Sequence, residues 1–168
     1  MITMSTITPY RILFVCLGNI CRSPAAEVIC RSLAAQQGLA DVLQVDSCGT
    51  ASYHTGSKPD SRMIAALERA GYAYDGHRAR TFRREDFNRY DLIIPQDEYN
   101  ERDICSLTHD KEARSRVQGM WRWFGEEETE RSVPDPYYGS SADFDAVVAL
   151  LTRSMQRLLD ELRRRLQG

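Results

Sequence analysis

The sequence lacks the features that mark several large protein classes. It contains no apolar run of about 18 residues, so we expect no segment that spans a membrane. Its five cysteines are an odd number and include no Cys-x-x-Cys pair, which argues against a disulfide framework and a zinc site. The formal net charge is only −2, which gives no reason to expect a nucleic-acid partner. No Gly-Lys-Ser or Gly-Lys-Thr sequence is present, so a nucleotide-binding loop is not expected either.

The composition that remains is typical of a globular protein. Hydrophobic residues make up 42% of the 168 residues and charged residues 27%. Residues 1–10 have no basic region and no long apolar core, so we expect a loose arm rather than a secretory signal. Residues 11–168 are expected to form a single domain, and the cysteine usage favours the reducing cytoplasm.

The strongest chemical signal follows the apolar run 12–15, which predicts a buried parallel strand. The signal ends at Ser23 and Pro24, a capping hydroxyl and a proline suited to the first turn of a helix. A loop between a strand and a helix N-terminus directs backbone N–H groups and the helix dipole at an anion. That field would favour a thiolate at Cys16, and the planar fork of Arg22 can hold two phosphoryl oxygens. We therefore predict phosphoryl transfer through a covalent thiophosphate.

The order of the predicted elements indicates an α/β fold. Strands alternate with helices, which predicts a three-layer α/β/α sandwich with a central, mostly parallel, four-stranded sheet of flavodoxin-like type. In such sheets the ligand lies beyond the carboxyl ends of the strands, where the Cys16 loop falls. The predicted strands are 11–15, 42–45, 91–94 and 115–120; the predicted helices are 24–37, 60–70, 97–104 and a long last helix after the capping serines 140 and 141.

Transfer from an aryl ester also needs an acid, because the departing oxygen is a poor anion unless it is protonated, an effect of roughly 10²–10⁴ in rate. Asp135 is the candidate, since it lies between Pro134 and Pro136, which restrict the backbone of that loop. Taken alone, Pro-Asp-Pro is more typical of a simple turn.

Residues 16–24 resemble the active-site loop of the low-molecular-weight protein tyrosine phosphatases, with the bacterial members as the closer likeness. The resemblance extends in order over residues 11–166. The other matching segments are Ser47–Thr50, His77–Arg80, Asp97–Asn100 and Asp135–Gly139. The family implies the phosphotyrosine phosphatase I type of fold and the hydrolysis of phosphotyrosine and aryl phosphates. It also implies Cys16 as nucleophile, Arg22 as phosphate clamp and Asp135 as general acid and then base.

The resemblance implies further roles around the loop. Ser23 would donate a hydrogen bond to the thiolate, and Asn19 would hold the loop in a strained shape, because asparagine tolerates left-handed backbone angles. His77 would support both residues, or else be a solvated loop histidine. The implied phosphate-binding residues are Leu17, Gly18, Asn19, Ile20, Cys21, Arg22 and Ser23.

Two further sets of residues complete the expected site. The slot for the substrate ring is expected to be formed by Leu17, Tyr53, Tyr137 and Tyr138. Cys21 follows Cys16 by five residues, close enough for a reversible disulfide that would protect the thiolate, although a buried cysteine without a redox role is the alternative. In the family's usual Met-Asp-Glu-Ser-Asn segment this chain departs at Gln96 and Tyr99, after an unusual Pro95.

The alternatives would use the same loop differently. A thioredoxin-coupled arsenate reductase needs two further cysteines on one segment, and residues 95–105 contain only Cys105. A non-catalytic phosphotyrosine- or anion-binding module needs only the loop and Arg22, and a flavodoxin-like cofactor protein needs no thiol. We therefore predict a metal-independent protein tyrosine phosphatase without a cofactor. Its expected partner is a phosphotyrosine-containing protein substrate, with a tyrosine kinase as a further candidate, and neither nucleic acid nor membrane. It is expected to be a monomer or weak dimer.

Overall fold

The computed structural model of the protein describes residues 8–167, with side chains through residue 166. Most of the expected N-terminal arm, residues 1–7, lies outside the described residues, and Tyr10 already belongs to the first strand. One parallel sheet forms the centre of the molecule, in the strand order β2-β1-β3. The strands are β1, Tyr10–Cys16; β2, Leu43–Gly49; and β3, Leu92–Pro95.

Helices cover both faces of this sheet. In the described residues they are α1, Arg22–Gln36; α2, Ser61–Arg69; α3, Asp86–Arg89; α4, Glu98–Cys105; α5, Lys111–Ser115; a 3-10 helix, Met120–Trp123; and α6, Ser141–Gln167. Within residues 8–167, no helix combines the length and the apolar character needed to cross a membrane.

The alternating side chains of β1 define the three layers. Ile12 and Phe14 are fully buried in a core that contains residues of α1, α2 and α6. Leu13 and Val15, also fully buried, point to the opposite face and pack with residues of α3, α4 and α5. Because successive side chains of a strand alternate between faces, one central strand supports both helical layers. The predicted α/β fold with a buried parallel sheet is confirmed.

The prediction of a fourth strand over residues 115–120 is wrong. Residues 116–119 lie between the end of helix α5 at Ser115 and the start of the 3-10 helix at Met120, and they do not form a strand. Only Val117 forms a parallel bridge, opposite Ile93 of β3. The described part of the chain therefore contains a three-stranded sheet with a single bridge at its β3 edge.

The second strand is longer than predicted and extends beyond the expected end at residue 45. β2 continues to Gly49, which pairs with Cys16 at the carboxyl end of β1. The predicted cap of α1 is also wrong: the helix begins at Arg22, its N-cap is Cys21, and no side chain caps it. Ser23 therefore lies inside the first turn, and its hydroxyl is free to make contacts elsewhere.

Candidate active site

The loop of residues 17–21 joins the carboxyl end of β1 to the N-terminus of α1. It borders a cavity of about 350 Å³. The cavity is lined on the loop side by Cys16, Cys21 and Arg22 and on the other sides by Tyr53, Asp135 and Tyr137. The fold thus brings the thiol, the guanidinium and the carboxyl group, which are far apart in the sequence, to one pocket.

Cys16 presents its sulfur at the floor of this pocket and is only 3% exposed. The Ser23 hydroxyl lies 3.0 Å from Sγ of Cys16 and 3.2 Å from the carbonyl oxygen of Cys48. A hydroxyl has one proton, so it can donate to only one of these two acceptors at a time. A thiolate at Cys16 would accept the hydrogen bond in preference to the carbonyl oxygen of Cys48, because a hydrogen bond to a charged acceptor is the stronger one.

Asn19 fixes the shape of the loop. It is fully buried and is the one non-glycine residue of the described chain with a positive φ, 57°. Its Oδ1 accepts the backbone N–H of Arg80 at 3.0 Å, so Nδ2 must be the atom that donates to Ser23 at 2.8 Å and to Ser47 at 3.0 Å. These side-chain contacts offset the cost of a left-handed backbone at this position.

Two buried side chains, His77 and Glu27, support Asn19, and the sequence pointed only to His77. His77 Nε2 lies 3.0 Å from Asn19 Oδ1 and must donate, because that oxygen only accepts. His77 Nδ1 lies 3.2 Å from Oε1 of Glu27, which also accepts from the Ser47 hydroxyl at 2.7 Å. Burial alone would raise the pKa of Glu27, but the hydrogen bonds from His77 and Ser47 lower it overall. Glu27 is therefore ionised at neutral pH, and its carboxylate faces Nδ1 of His77.

The signal for Glu27 was present in the sequence. It follows Ser23 by four residues in a helix, so the two side chains share a face, and it is the single charged residue within the apolar stretch 25–30. A carboxylate on a buried helix face needs a partner, and His77 is that partner.

Arg22 is buried, with only 3% of its surface exposed, and hydrogen bonds hold its guanidinium in place. Its Nη1 donates to Asp97 Oδ2 at 2.7 Å and to the carbonyl oxygen of Val133 at 3.0 Å. Its Nη2 lies 3.7 Å from Oδ2 of Asp135. Asp97, at the N-cap of α4, was recognised only as part of a matching segment, with no role of its own. It neutralises the buried guanidinium and fixes its plane.

Asp135 is held much more loosely. Its side chain is 45% exposed, and its Oδ1 accepts the backbone N–H of Tyr137 at 3.2 Å. The carboxyl group lines the pocket close to the guanidinium of Arg22. This position suits a group that exchanges protons with bound substrate and with water.

Comparison with known proteins gives the family. The model described as low molecular weight phosphotyrosine protein phosphatase matches residues 11–168. The chain belongs to that family. Its members are protein-tyrosine-phosphatases, and the protein is an enzyme of this class.

Individual relatives agree over almost their whole length. A Synechocystis chain whose name assigns it to the same phosphatase class is 45% identical over 152 residues, which are 90% of this chain and 96% of the relative. A solved protein tyrosine phosphatase from Entamoeba histolytica has a TM-score of 0.87 at 34% identity, covering 92% of this chain and 97% of its own. The YwlE arginine phosphatase, solved as a cysteine-to-serine mutant with a phosphorylated active-site serine, has a TM-score of 0.81 at 25% identity, covering 91% and 95%.

Aromatic side chains form the rim of the phosphatase pocket. Tyr53 is 66% exposed, Tyr138 96%, Leu17 41% and Tyr137 37%, and all four line the cavity. His54 also lines it and packs edge-on against Tyr53, with ring centroids 4.8 Å apart. Sequence reasoning gave His54 no role, because it has no partner at metal-ligand spacing and its place on the rim depends on the course of the 50–59 loop.

Two glycines lie where other groups come close to the loop. A Cβ atom on Gly49 would lie 2.6 Å from the carbonyl oxygen of Leu17 and 3.1 Å from the backbone nitrogen of Asn19. A Cβ atom on Gly18 would lie 2.9 Å from Cδ2 of His54. The first contact is with backbone, which cannot move without displacing the loop.

Cys21 lines the same pocket as Cys16. Both cysteines are free and buried. Burial, followed by the nearby Asp60 carboxylate and Cys16, raises the pKa of the Cys21 thiol well above its ordinary value. Cys21 is therefore a neutral thiol at physiological pH. Burial likewise raises the pKa values of Cys30 and Cys48, which agrees with structural roles for both.

Gly49→Ala is expected to lower kcat/KM about 100-fold, because a shift of the loop on the ångström scale misplaces the phosphate ligands. Hydrolysis of an aryl phosphate measures it. Gly38→Ala is the control: nothing lies within 4 Å of its Cβ position and its φ is +73°, so it should cost about 1 kcal/mol of stability and leave kcat/KM unchanged. Equal kcat/KM for Gly49→Ala and wild type would show that a Cβ atom at residue 49 does not displace the loop backbone.

Glu27→Gln is expected to lower the free energy of unfolding by about 1.5–3 kcal/mol at pH 7, since it weakens hydrogen bonds to a buried charge. The pKa of Glu27 is lowered on folding, so its stabilisation is present above the ordinary glutamate pKa and fades as the pH falls through the lower, folded-state value. The gap between variant and wild type should therefore close towards pH 3 in urea titrations. Glu112→Gln, whose side chain is 78% exposed, should stay within about 0.5 kcal/mol throughout. If the difference in unfolding free energy between Glu27→Gln and wild type did not depend on pH, Glu27 would not be an ionised, stabilising carboxylate.

Proposed function

We propose that the protein hydrolyses phosphotyrosine in proteins, and small aryl phosphates, through a cysteinyl-phosphate intermediate. The observation that carries the proposal is the meeting of Cys16, Arg22 and Asp135 at one cavity beside a helix N-terminus. A thiol nucleophile, an anion cradle and an acid on the far side of the bound phosphate are the parts that such a reaction needs.

In the first step the Cys16 thiolate attacks phosphorus. The S–P bond forms while the P–O bond to the tyrosine breaks, and Asp135 gives its proton to the departing oxygen. The backbone N–H groups of residues 17–22 and the guanidinium of Arg22 hold the three non-bridging oxygens, whose charge is spread out in the transition state. Arg22 needs no reorganisation, because Asp97 and Val133 already fix its Nη1.

In the second step water attacks the cysteinyl phosphate. Asp135, now a carboxylate, takes a proton from the water, the S–P bond breaks, and inorganic phosphate leaves. The Ser23 hydroxyl, 3.0 Å from Sγ, would stabilise the departing thiolate, while Asn19 and His77 keep the loop in shape. The serine-phosphorylated mutant of the arginine phosphatase supports covalent transfer at the equivalent position of a related fold.

The rim favours a planar ring as the substrate group. Leu17, Tyr53, Tyr137 and Tyr138 offer apolar and aromatic surface on which a phenyl ring can stack. Phosphoarginine is the second candidate, because a relative at 25% identity is described as an arginine phosphatase. The aromatic walls give the phosphotyrosine reading more support.

An arsenate reductase is less well supported by the contacts. Its relay needs two cysteines on one segment, and Cys105 stands alone there, with Pro95 at the end of β3. A simple anion-binding module would leave the carboxyl group of Asp135 without a purpose beside the pocket.

We propose in addition that Cys16 and Cys21 form a reversible protective disulfide. A peroxide takes two electrons from the Cys16 thiolate to give a sulfenic acid; the sulfur of Cys21 then displaces water and forms the S–S bond. A dithiol reductant returns two electrons and two protons and restores both thiols. The pair is supported by its shared position on the cavity wall.

The wider setting follows from the same chemistry. A nucleophile that must stay a thiolate suits a reducing compartment, so we propose the cytoplasm, with a phosphotyrosine protein as substrate and a tyrosine kinase as a further partner. We propose a single catalytic domain over residues 11–168, acting as a monomer or weak dimer.

Cys16→Ser is expected to abolish turnover of p-nitrophenyl phosphate and of a phosphotyrosine peptide while inorganic phosphate still binds, because the anion cradle remains. Wild-type turnover should persist in EDTA. Phosphoarginine and arsenate serve as alternative substrates in the same assay. Turnover that chelation removes, or that survives in Cys16→Ser, would contradict the cysteine mechanism.

Asp135→Asn is expected to lower kcat/KM about 100-fold for phenyl phosphate, with its basic leaving group, and far less for p-nitrophenyl phosphate, because only the first needs a proton. Asparagine can still accept the N–H of Tyr137, so the loop should keep its shape. Asp145→Asn, an exposed carboxylate on α6, is the matched control and should leave both rates unchanged. Equal losses on both substrates would remove Asp135 from the acid role.

A further inference from the structure

Arg62 lies at the start of α2, beside the pocket but not among the residues that line it. Its guanidinium binds Asp60 in two places, with Nε 3.0 Å from Oδ1 and Nη2 2.7 Å from Oδ2. The backbone N–H of Arg62 also donates to Oδ1, so Asp60 caps the helix and holds the arginine at the same time. A two-point contact of this kind fixes the plane of a guanidinium.

This pair is attached to the phosphate-binding loop. The backbone N–H of Asp60 donates to the carbonyl oxygen of Ile20 at 2.8 Å. Ile20 is a loop residue and lines the cavity. The position of Arg62 is therefore set by the loop that holds the substrate's phosphate.

On its other side Arg62 contacts residues 133–139, the loop that carries Asp135 and is called the acid loop below. Its guanidinium carbon lies 4.7 Å from the ring centroid of Phe144 and 5.4 Å from that of Tyr137. A cation within about 6 Å of an aromatic ring is attracted by the negative face of the ring. Phe144 is fully buried on α6 and cannot move, whereas Tyr137 is on the loop, two residues after Asp135.

Tyr137 in turn positions the carboxyl group. Its backbone N–H is the hydrogen-bond donor to Asp135 Oδ1, at 3.2 Å. Among the described residues, the charged partner of this carboxyl group is Arg22, whose Nη2 lies 3.7 Å from Oδ2 of Asp135. With so few contacts on a side chain that is 45% exposed, the orientation of Asp135 depends on where Tyr137 sits.

We propose that Arg62 is a positioning residue that aligns the acid loop with the phosphate-binding loop through Tyr137. The inference rests on the proposed function, in which Asp135 supplies the proton. Arg62 couples the two halves of the reaction: the loop that binds the phosphate also places the acid that protonates the leaving group.

Two other roles for Arg62 predict different kinetics. A direct contact with acidic residues of a protein substrate would raise KM for peptides and leave small aryl phosphates unaffected. A role confined to the stability of α2 would lower all rates equally. Alignment of the acid alone produces a loss that depends on the leaving group.

The experiment compares Arg62→Met with wild type on phenyl phosphate and p-nitrophenyl phosphate. Methionine retains an apolar stem over Phe144, so the core stays covered. We expect kcat/KM to fall about tenfold for phenyl phosphate and at most about twofold for p-nitrophenyl phosphate, because Tyr137 then loses the cation–ring contact that orients it. Equal losses on the two substrates would overturn the proposal.

Arg69→Met is the matched control. Arg69 is on the same helix and pairs with Asp145 on α6, at 3.0 and 2.8 Å, but it has no contact with the acid loop. It should leave both rates unchanged. If Arg62→Met melts more than a few degrees below wild type, Arg62→Lys, which retains the charge opposite Asp60, replaces it, with an expected selective loss of about threefold.

The double variant Arg62→Met with Asp135→Asn separates this inference from the proposed function. Without the acid its alignment is irrelevant, so Arg62→Met should no longer change the ratio of the two rates. A selective loss that persists in the double variant overturns the inference alone. If Asp135→Asn itself shows no dependence on the leaving group, the acid role fails, and the inference fails with it.

Discussion

Four hydrogen bonds meet at the buried amide of Asn19, and the shape of the phosphate-binding loop depends on them. Nδ2 donates to Ser23 and Ser47, while Oδ1 accepts from His77 and from the backbone of Arg80. An asparagine amide has two donor protons and two acceptor lone pairs, so every site is used. The partners come from α1, from β2 and from the segment before α3. A left-handed residue at this point is therefore determined by three separate parts of the fold.

The parallel register of the sheet makes this possible. Cys16 pairs with Gly49 at the carboxyl ends of β1 and β2, which brings the loop directly over the second strand. The absence of a side chain at Gly49 allows the loop backbone to pass close above it. Charges around the loop are balanced in advance: Asp97 faces Arg22, and Glu27 faces His77. Because these pairs exist before any ligand arrives, an incoming phosphate meets groups that are already oriented.

How much of this the sequence could predict depended on how local each feature is. The loop and the proline-framed acid are short segments whose chemistry is written in adjacent residues, and the fold brings them together as expected. The partners of Glu27, Ser47 and Asp97 could not be assigned, because they lie on other elements and become neighbours only through the sheet register and the packing of α4. A hydroxyl before proline is typical of a helix cap, so the sequence predicts that role for Ser23. The helix starts earlier, at Arg22, and the hydroxyl contacts Cys16 instead. Residues 115–120 contain only one β-branched residue, Val117, and the structure places only a single bridge there.

The two halves of the site differ in how firmly they are held, and the proposed reaction requires that difference. In that reaction the floor around Cys16 must not move, because it binds the same phosphoryl group in both proposed steps and any shift would weaken contacts to a charge that is being redistributed. Asp135 has the opposite requirement: it must release a proton to a large leaving group, let that group depart, and then accept a proton from water that enters behind it. A carboxyl group fixed as firmly as Arg22 would obstruct that exchange. The half-exposed carboxyl group of Asp135 accepts one N–H from Tyr137, whose ring contacts Arg62. It can therefore change position slightly while it still points into the pocket. The looseness of the acid loop is thus limited by a contact that is itself anchored to the rigid half.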